Sequence, residues 1–158
     1  MNIGEQIGQL LRSRQMTLGT AESCTGGYIA HLITQVAGSS AYYLGGIVSY
    51  SNEVKKNVLG VSAESLENDG PVSRPVVEQM ALGAVRVLGC DCSVATSGIA
   101  GPGGGTEVNP VGTVWIAVAY KEQVFSSCFY FGENREDNIR QASDTALQML
   151  IDLLKRDS

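Results

Sequence analysis

MTLGTAESCTGGYIAHLITQVAG, residues 16–38, is the stretch that decides the fold class. Its first half is short and carries Thr and Leu, which predicts a strand running into a turn near Ser23. The second half sets Tyr28, Ile29, Leu32, Ile33 and Val36 at helical intervals and stops at Gly38, a residue suited to a helix C-terminus. A strand that hands over to a helix through small residues is the repeating unit of an α/β domain.

The flanking segments extend that pattern. Ile3, Ile7, Leu10 and Leu11 predict a helix over residues 2–14, with Asn2 as its cap. LGGIVSYS, residues 44–51, reads as a second strand, and SNEVKKNVLG as a short helix capped by Ser51 or Asn52. VSAESLENDG adds a helical turn or two. SRPVVEQMALGAVRVLG opens on Ser73 with Pro75 in its first turn and predicts a longer helix ending near Gly89. CSVATSG is apolar and β-branched enough for a buried strand. VGTVWIAVAY and QVFSSCFYF, joined by the turn-like KEQ, form a hairpin, and a final helix runs from Asn134 to about Lys155. Alternation over the first two-thirds, then a hairpin and a helix, predicts helices covering a mixed sheet. No repeat, linker or low-complexity segment interrupts residues 1–158, so one domain is expected.

Composition narrows the function classes. A hydrophobic content of 44% and a charged content of 17% describe an ordinary globular chain. The net charge of −5 argues against a general nucleic-acid surface, which needs clustered Lys and Arg. Cys24, Cys90, Cys92 and Cys128 form neither a C-x-x-C pair nor a zinc spacing, so no metal site is expected. The N-terminal MNIGEQIGQLLRSR shows no signal-peptide core, and nowhere do about 18 apolar residues run together as a membrane span would require. Reduced thiols in a cytoplasm are the expectation, and the expected assembly is homo-oligomeric, with a dimer as the simplest case.

TAESCTGG, residues 20–27, supports two readings. In one, a Ser or Thr caps a helix and Gly26 and Gly27 allow close packing. In the other, Ser23 or Cys24 is a nucleophile, and the amides of Thr25, Gly26 and Gly27 are free donors at a helix start. The only histidine, His31, lies eight residues past Ser23 along the same expected helix, a poor geometry for a Ser–His pair. A lysine made neutral by burial is the remaining base. Lys55 and Lys56 follow a strand, and spacing does not choose between them. Residues 96–113, TSGIAGPGGGTEVNPVGT, hold six glycines and two prolines without a P-loop or G-x-G-x-x-G pattern. They form either a flexible turn or a functional loop. Arg135 and Arg140, near the start of the last helix, either clamp an anion or pair with neighbouring carboxylates.

Taken together, AESCTGG, YSNEVK, SGIAGPGGGT with PVGTVWIA, and FGENREDNIRQ resemble the CinA C-terminal domain family. This competence/damage-inducible protein family includes stand-alone nicotinamide-nucleotide amidases. The resemblance covers roughly residues 5–154. It implies a three-layer α/β/α domain with a mixed, mostly parallel sheet and a late β-hairpin. It also implies cofactor- and metal-independent hydrolysis of the carboxamide of nicotinamide mononucleotide, with no direct nucleic-acid or membrane partner. Matched motif by motif, Ser23 is the expected nucleophile, Lys55 its base and Tyr50 a third catalytic group. Cys24, Thr25, Gly26, Gly27, Gly101, Gly103, Gly104, Gly105, Arg135 and Arg140 are the expected substrate-binding set. The competing expectation is a non-catalytic pyridine-nucleotide-binding or competence-associated interaction module. Two positions depart from the family pattern: Asn109, where relatives commonly carry lysine, and Arg74-Pro75, where an acidic pair is usual.

Overall fold

Parallel pairing of Leu18–Glu22 (β1) with both Tyr43–Val48 (β2) and Cys92–Gly98 (β3) brings three strand ends side by side. Thr113–Tyr120 (β4) and Gln123–Tyr130 (β5) complete the sheet antiparallel, in the order β2-β1-β3-β4-β5. Four of the five strands run the same way, β4 alone being reversed. This architecture is that of a computed structural model, which describes residues 1–157.

Helices cover both faces. Ile3–Arg14 (α1), Tyr28–Thr34 (α2) and Arg135–Arg156 (α6) pack on one side, where Leu18, Val94, Ile116 and Val118 meet Ile7, Leu11, Ile33, Leu147 and Leu150. Asn52–Asn57 (α3), Ala63–Asn68 (α4) and Arg74–Leu88 (α5) follow in the chain. On the second face the sheet presents Ala21, Ala95, Ala117 and Ala119 to Val76, Val77, Met80 and Ala84 of α5. Small side chains there let the helix lie close, and Ser93 Oγ donates to Ala81 O at 2.6 Å. Among the described residues no helix is long and apolar enough to cross a membrane.

Local chemistry explains the boundaries. Asn2 Oδ1 accepts from Glu5 N at 2.8 Å, the expected cap of α1. Of the two candidates for α3, Ser51 is the cap, accepting from Val54 N at 3.2 Å. Two expectations move. Helix α2 stops at Thr34 rather than running to Gly38, whose carbonyl accepts from Arg12 Nη2 at 2.8 Å and whose φ of 84° opens a single 3-10 turn. Strand β2 ends at Val48 rather than residue 51: Ser49 N still bonds Glu22 O at 2.8 Å, but Ser49 O has turned to Lys55.

The β4–β5 turn is Lys121-Glu122, both left-handed, at φ 52° and 62°. Tight hairpins favour this geometry and usually fill it with Asn or Gly. Glu122 is exposed, so Glu122→Gly should raise stability by about 0.5–1 kcal/mol, the left-handed penalty outweighing the entropy that glycine adds to the unfolded chain. Urea unfolding of the two proteins reads this difference as a higher midpoint at unchanged slope.

Candidate active site

Strand β1 is wholly buried and ends on Glu22, itself 1% exposed. A carboxylate so placed must find donors. Its Oε1 accepts from Thr25 Oγ1 (2.6 Å), Gly27 N (3.2 Å) and Ile29 N (3.0 Å), and its Oε2 from Ala30 N (3.0 Å). Glu22 therefore occupies the positive end of α2. Gly27, at φ 101°, makes the turn that aims its amide back at the carboxylate. Since Thr25 gives its hydrogen to Glu22, Thr96 is the donor in the 2.8 Å Thr25–Thr96 contact.

This arrangement corrects the expected free amides. Gly27 N belongs to Glu22, and Gly26 N donates to Ser23 O at 3.0 Å. Among the described residues, the amide of Thr25 meets no acceptor, and that of Cys24 faces only its own sulfur.

Ser23 follows directly on β1, its amide donating to Thr96 O at 3.1 Å. Lys55 arrives from α3 on the neighbouring strand connection. Only 3% exposed, its Nζ donates to Ser49 O at 2.8 Å and stands 2.9 Å from Ser23 Oγ. Burial pulls the ammonium pKa down from its ordinary value, with Cys24 opposing. Lys56, one residue on, is exposed, so the six-residue α3 turns one lysine inward and the other to water.

Cys24 lines the same cavity but stays a thiol. Burial pushes its pKa up to about 12; its own backbone hydrogen bond lowers it, Glu22 raises it further, and Lys55 and Thr96 lower it. Reactive cysteines have the opposite setting, exposed and electropositive. His31 is exposed on α2, with Tyr28 at 6.1 Å between ring centroids, and it does not line the cavity.

The cavity measures about 280 Å³, near the lower end for small-molecule sites. It opens at the C-terminal ends of β1 and β3, where α/β sheets place ligands. Ser23, Cys24, Tyr50, Lys55, Gly101, Gly103, Gly104 and Arg135 all line it. Thr25, Gly26, Gly27, Gly105 and Arg140 do not: Thr25 is turned to the Glu22 network, and Arg140 is exposed along α6.

Across the mouth, Arg135 Nη2 donates to Tyr50 Oη at 3.0 Å and Nη1 to Gly101 O at 2.6 Å. Asn138 Nδ2 adds bonds to Ala100 O and Gly132 O, both 3.0 Å, so the first turn of α6 holds the glycine loop. At the base of that loop Gly112 has φ 91° and packs against Gly132, leaving no room for a Cβ.

Wall residues absent from the expected set are Asn52, Pro71, Val72 and the run from Ser97 to Ala100. Pro71 and Val72 come from the α4–α5 connection, which no spacing ties to the motifs. Ser97 had a signal, being next to the end of a strand parallel to β1. Asn109 Nδ2 donates to Val72 O at 3.4 Å, so this departure from the family pattern joins two walls rather than facing the ligand. Arg74 does more than begin a helix: its guanidinium lies 4.8 Å from the Trp115 ring centroid and bonds Ser126 O and Oγ. Among the described residues no cluster of three His, Cys, Asp or Glu side chains could hold a metal ion.

The family model described as the CinA C-terminal domain matches residues 1–154. The chain is 48% identical over 151 residues to the nicotinamide-nucleotide amidohydrolase PncC of Escherichia coli (strain K12), spanning 95% of this chain and 92% of that protein. It is 47% identical over 149 residues to a CinA-like protein of Cytophaga hutchinsonii, 94% of this chain but 36% of that longer protein. Among solved structures, competence damage-inducible protein A (ComA) of Klebsiella pneumoniae superposes with a TM-score of 0.94 at 37% identity, over 97% of this chain and 95% of that one. Competence/damage inducible protein CihA of Agrobacterium tumefaciens gives 0.93 at 40% identity, over 96% and 93%.

Thiol chemistry checks the electrostatics of the site. At pH 8, iodoacetamide should modify the half-buried Cys128 first and leave Cys24 untouched in the folded protein, with peptide mass spectrometry as the readout. Fast labelling of Cys24 would contradict its buried setting.

Proposed function

The chain belongs to the CinA C-terminal domain family, and from that premise we propose that it hydrolyses the carboxamide of nicotinamide mononucleotide to nicotinate mononucleotide and ammonia. Ser23 is the nucleophile and neutral Lys55 its base. The observation that carries this reading is the buried Lys55 Nζ, 2.9 Å from Ser23 Oγ, with no histidine on the cavity wall. The 48% identity to a protein named nicotinamide-nucleotide amidohydrolase supports the substrate class.

Deprotonated, Lys55 gives one hydrogen to Ser49 O and turns its lone pair to the Ser23 hydroxyl. The Ser23 proton passes to Lys55 as Oγ bonds to the carboxamide carbon. Negative charge collects on the former carbonyl oxygen, and the amide of Cys24, on the cavity wall and bonded to no other residue, is the proposed oxyanion donor. Lys55 then returns the proton to nitrogen, the C–N bond breaks and ammonia leaves. Water, deprotonated by Lys55, attacks the Ser23 ester; the carboxylate departs and Ser23 regains its hydrogen. Tyr50, held at the mouth by Arg135, is a second route for the proton to the leaving nitrogen. Arg135 is the one arginine on the cavity wall and is the proposed partner of the substrate phosphate. Four free cysteines support a reducing, cytoplasmic setting.

Ammonia release by the purified protein tests the proposal. Ser23→Ala and Lys55→Ala should each lower kcat by about 10²–10⁴-fold or more, and the double variant should be hardly worse than either, because the pair acts as a unit. Unchanged turnover in Ser23→Ala would remove the serine mechanism.

The pH profile supplies an independent check. Lysine is reactive without its proton, so kcat/KM should rise with pH and level off at an apparent pKa below the free-lysine value near 10.5. A limb that climbs only at the free-lysine value would exclude a desolvated Lys55 as the base.

A further inference from the structure

Ser97 lines the cavity beside Ser23, on the strand next to it. Glu22 and Thr96 are partners in the parallel β1–β3 ladder, so residues 23 and 97 follow in step at the two strand ends. Alternation sends Ser93 and Ala95 toward α5, and Ser97 shares their face. Its hydroxyl donates to Pro71 O at 2.7 Å, and the residue is 1% exposed.

A serine hydroxyl has one hydrogen and two lone pairs. Here the hydrogen is committed, because a carbonyl can only accept. Releasing it would strand a buried acceptor, which costs more than an ordinary hydrogen bond contributes. The chain on either side of Pro71 is itself held, by Ser73 Oγ donating to Gly70 O at 2.7 Å and by Asn109 Nδ2 donating to Val72 O at 3.4 Å. The oxygen of Ser97 therefore meets the cavity as an acceptor.

Resting on the amidase reading above, we propose that Ser97 Oγ selects the carboxamide by accepting one of its N–H groups. A carboxamide nitrogen brings two hydrogens, one of which satisfies Ser97. The carboxylate product brings none, and places a negative oxygen against a lone pair. One fixed hydroxyl thus favours entry of the amide, fixes which way its NH2 points in the cavity and weakens retention of the acid. A site built to bond a particular N–H discriminates strongly against the analogue that lacks it.

The experiment compares two ligands in a protein that cannot turn over. In a Ser23→Ala background, titration calorimetry measures Kd for nicotinamide mononucleotide and for nicotinate mononucleotide, with Ser97 intact, as Ser97→Ala and as Ser97→Cys. Both substitutions remove the strong acceptor, and Cys preserves the side-chain shape should Ala disturb the Pro71 connection. Amide binding should weaken about ten-fold or more while acid binding stays level or tightens, so the preference for the amide collapses. Equal shifts for both ligands, or none, would overturn the assignment, since a merely structural role moves both alike. Ammonia release by the unaltered protein separates the two levels. If it turns over and the preference survives in both variants, Ser97 is not the selector; if it releases no ammonia, the amidase reading falls and this assignment with it.

Discussion

A lysine ammonium cannot be taken from water cheaply, and the site is organised around that constraint. Desolvating such an ion carries an effective penalty of several kcal/mol, on the order of what one ion pair can recover. Among the described residues no carboxylate pairs with Lys55; its hydrogen-bond partners are a backbone carbonyl and a hydroxyl. Burial therefore favours loss of the proton, and the proposed mechanism uses the lone pair that this loss exposes. The proposed activation of Ser23 depends on the 3% exposure of Lys55.

The sheet supplies what keeps that amine in place. Parallel register aligns the ends of β2, β1 and β3, so Ser49, Ser23 and Thr96 are joined by successive backbone bonds through Glu22 O and Thr96 O. Ser23 and Ser49, far apart in the chain, therefore become near neighbours across one ladder, with Lys55 closing the gap from a single turn and a half of helix. Parallel strands make such an edge because their C-terminal ends all open to the same side.

Glu22 sets a second division of labour. By filling the N-terminus of α2 it satisfies Gly27, Ile29 and Ala30 internally and removes that helix as an anion site. Positive charge at the mouth is left to Arg135, tied to Tyr50 and to the glycine loop. The same carboxylate fixes the turn on which Ser23 and Cys24 lie, so a buried acid, Glu22, and a buried lysine, the proposed base Lys55, both adjoin residue 23. Both are charged residue types withdrawn from water; the acid keeps four donors, and the base has only acceptors to which it can give a hydrogen.

Much of this was legible along the chain. Helical periodicity, the Asn2 cap, the Gly89 stop and the hairpin are local properties, set by residues a few positions apart, and the four motifs identified the family. Ser23 and Lys55 could be named from the motifs, but local spacing left Lys55 and Lys56 equivalent, because nothing nearby says which side of a short helix faces a cavity. The amides of Gly26 and Gly27 looked available since the sequence does not reveal that Glu22 folds back on them. Ser97, Pro71 and Asn52 became wall residues only when the α4–α5 connection crossed the ends of β1 and β3. Sequence by itself determined which segments are strands and helices and which residue types are at hand for catalysis. Only the tertiary structure decided which amine loses its water, which amide stays unpaired and which hydroxyl has its hydrogen already committed, because burial and hydrogen-bond direction depend on segments that are neighbours in space and strangers in sequence.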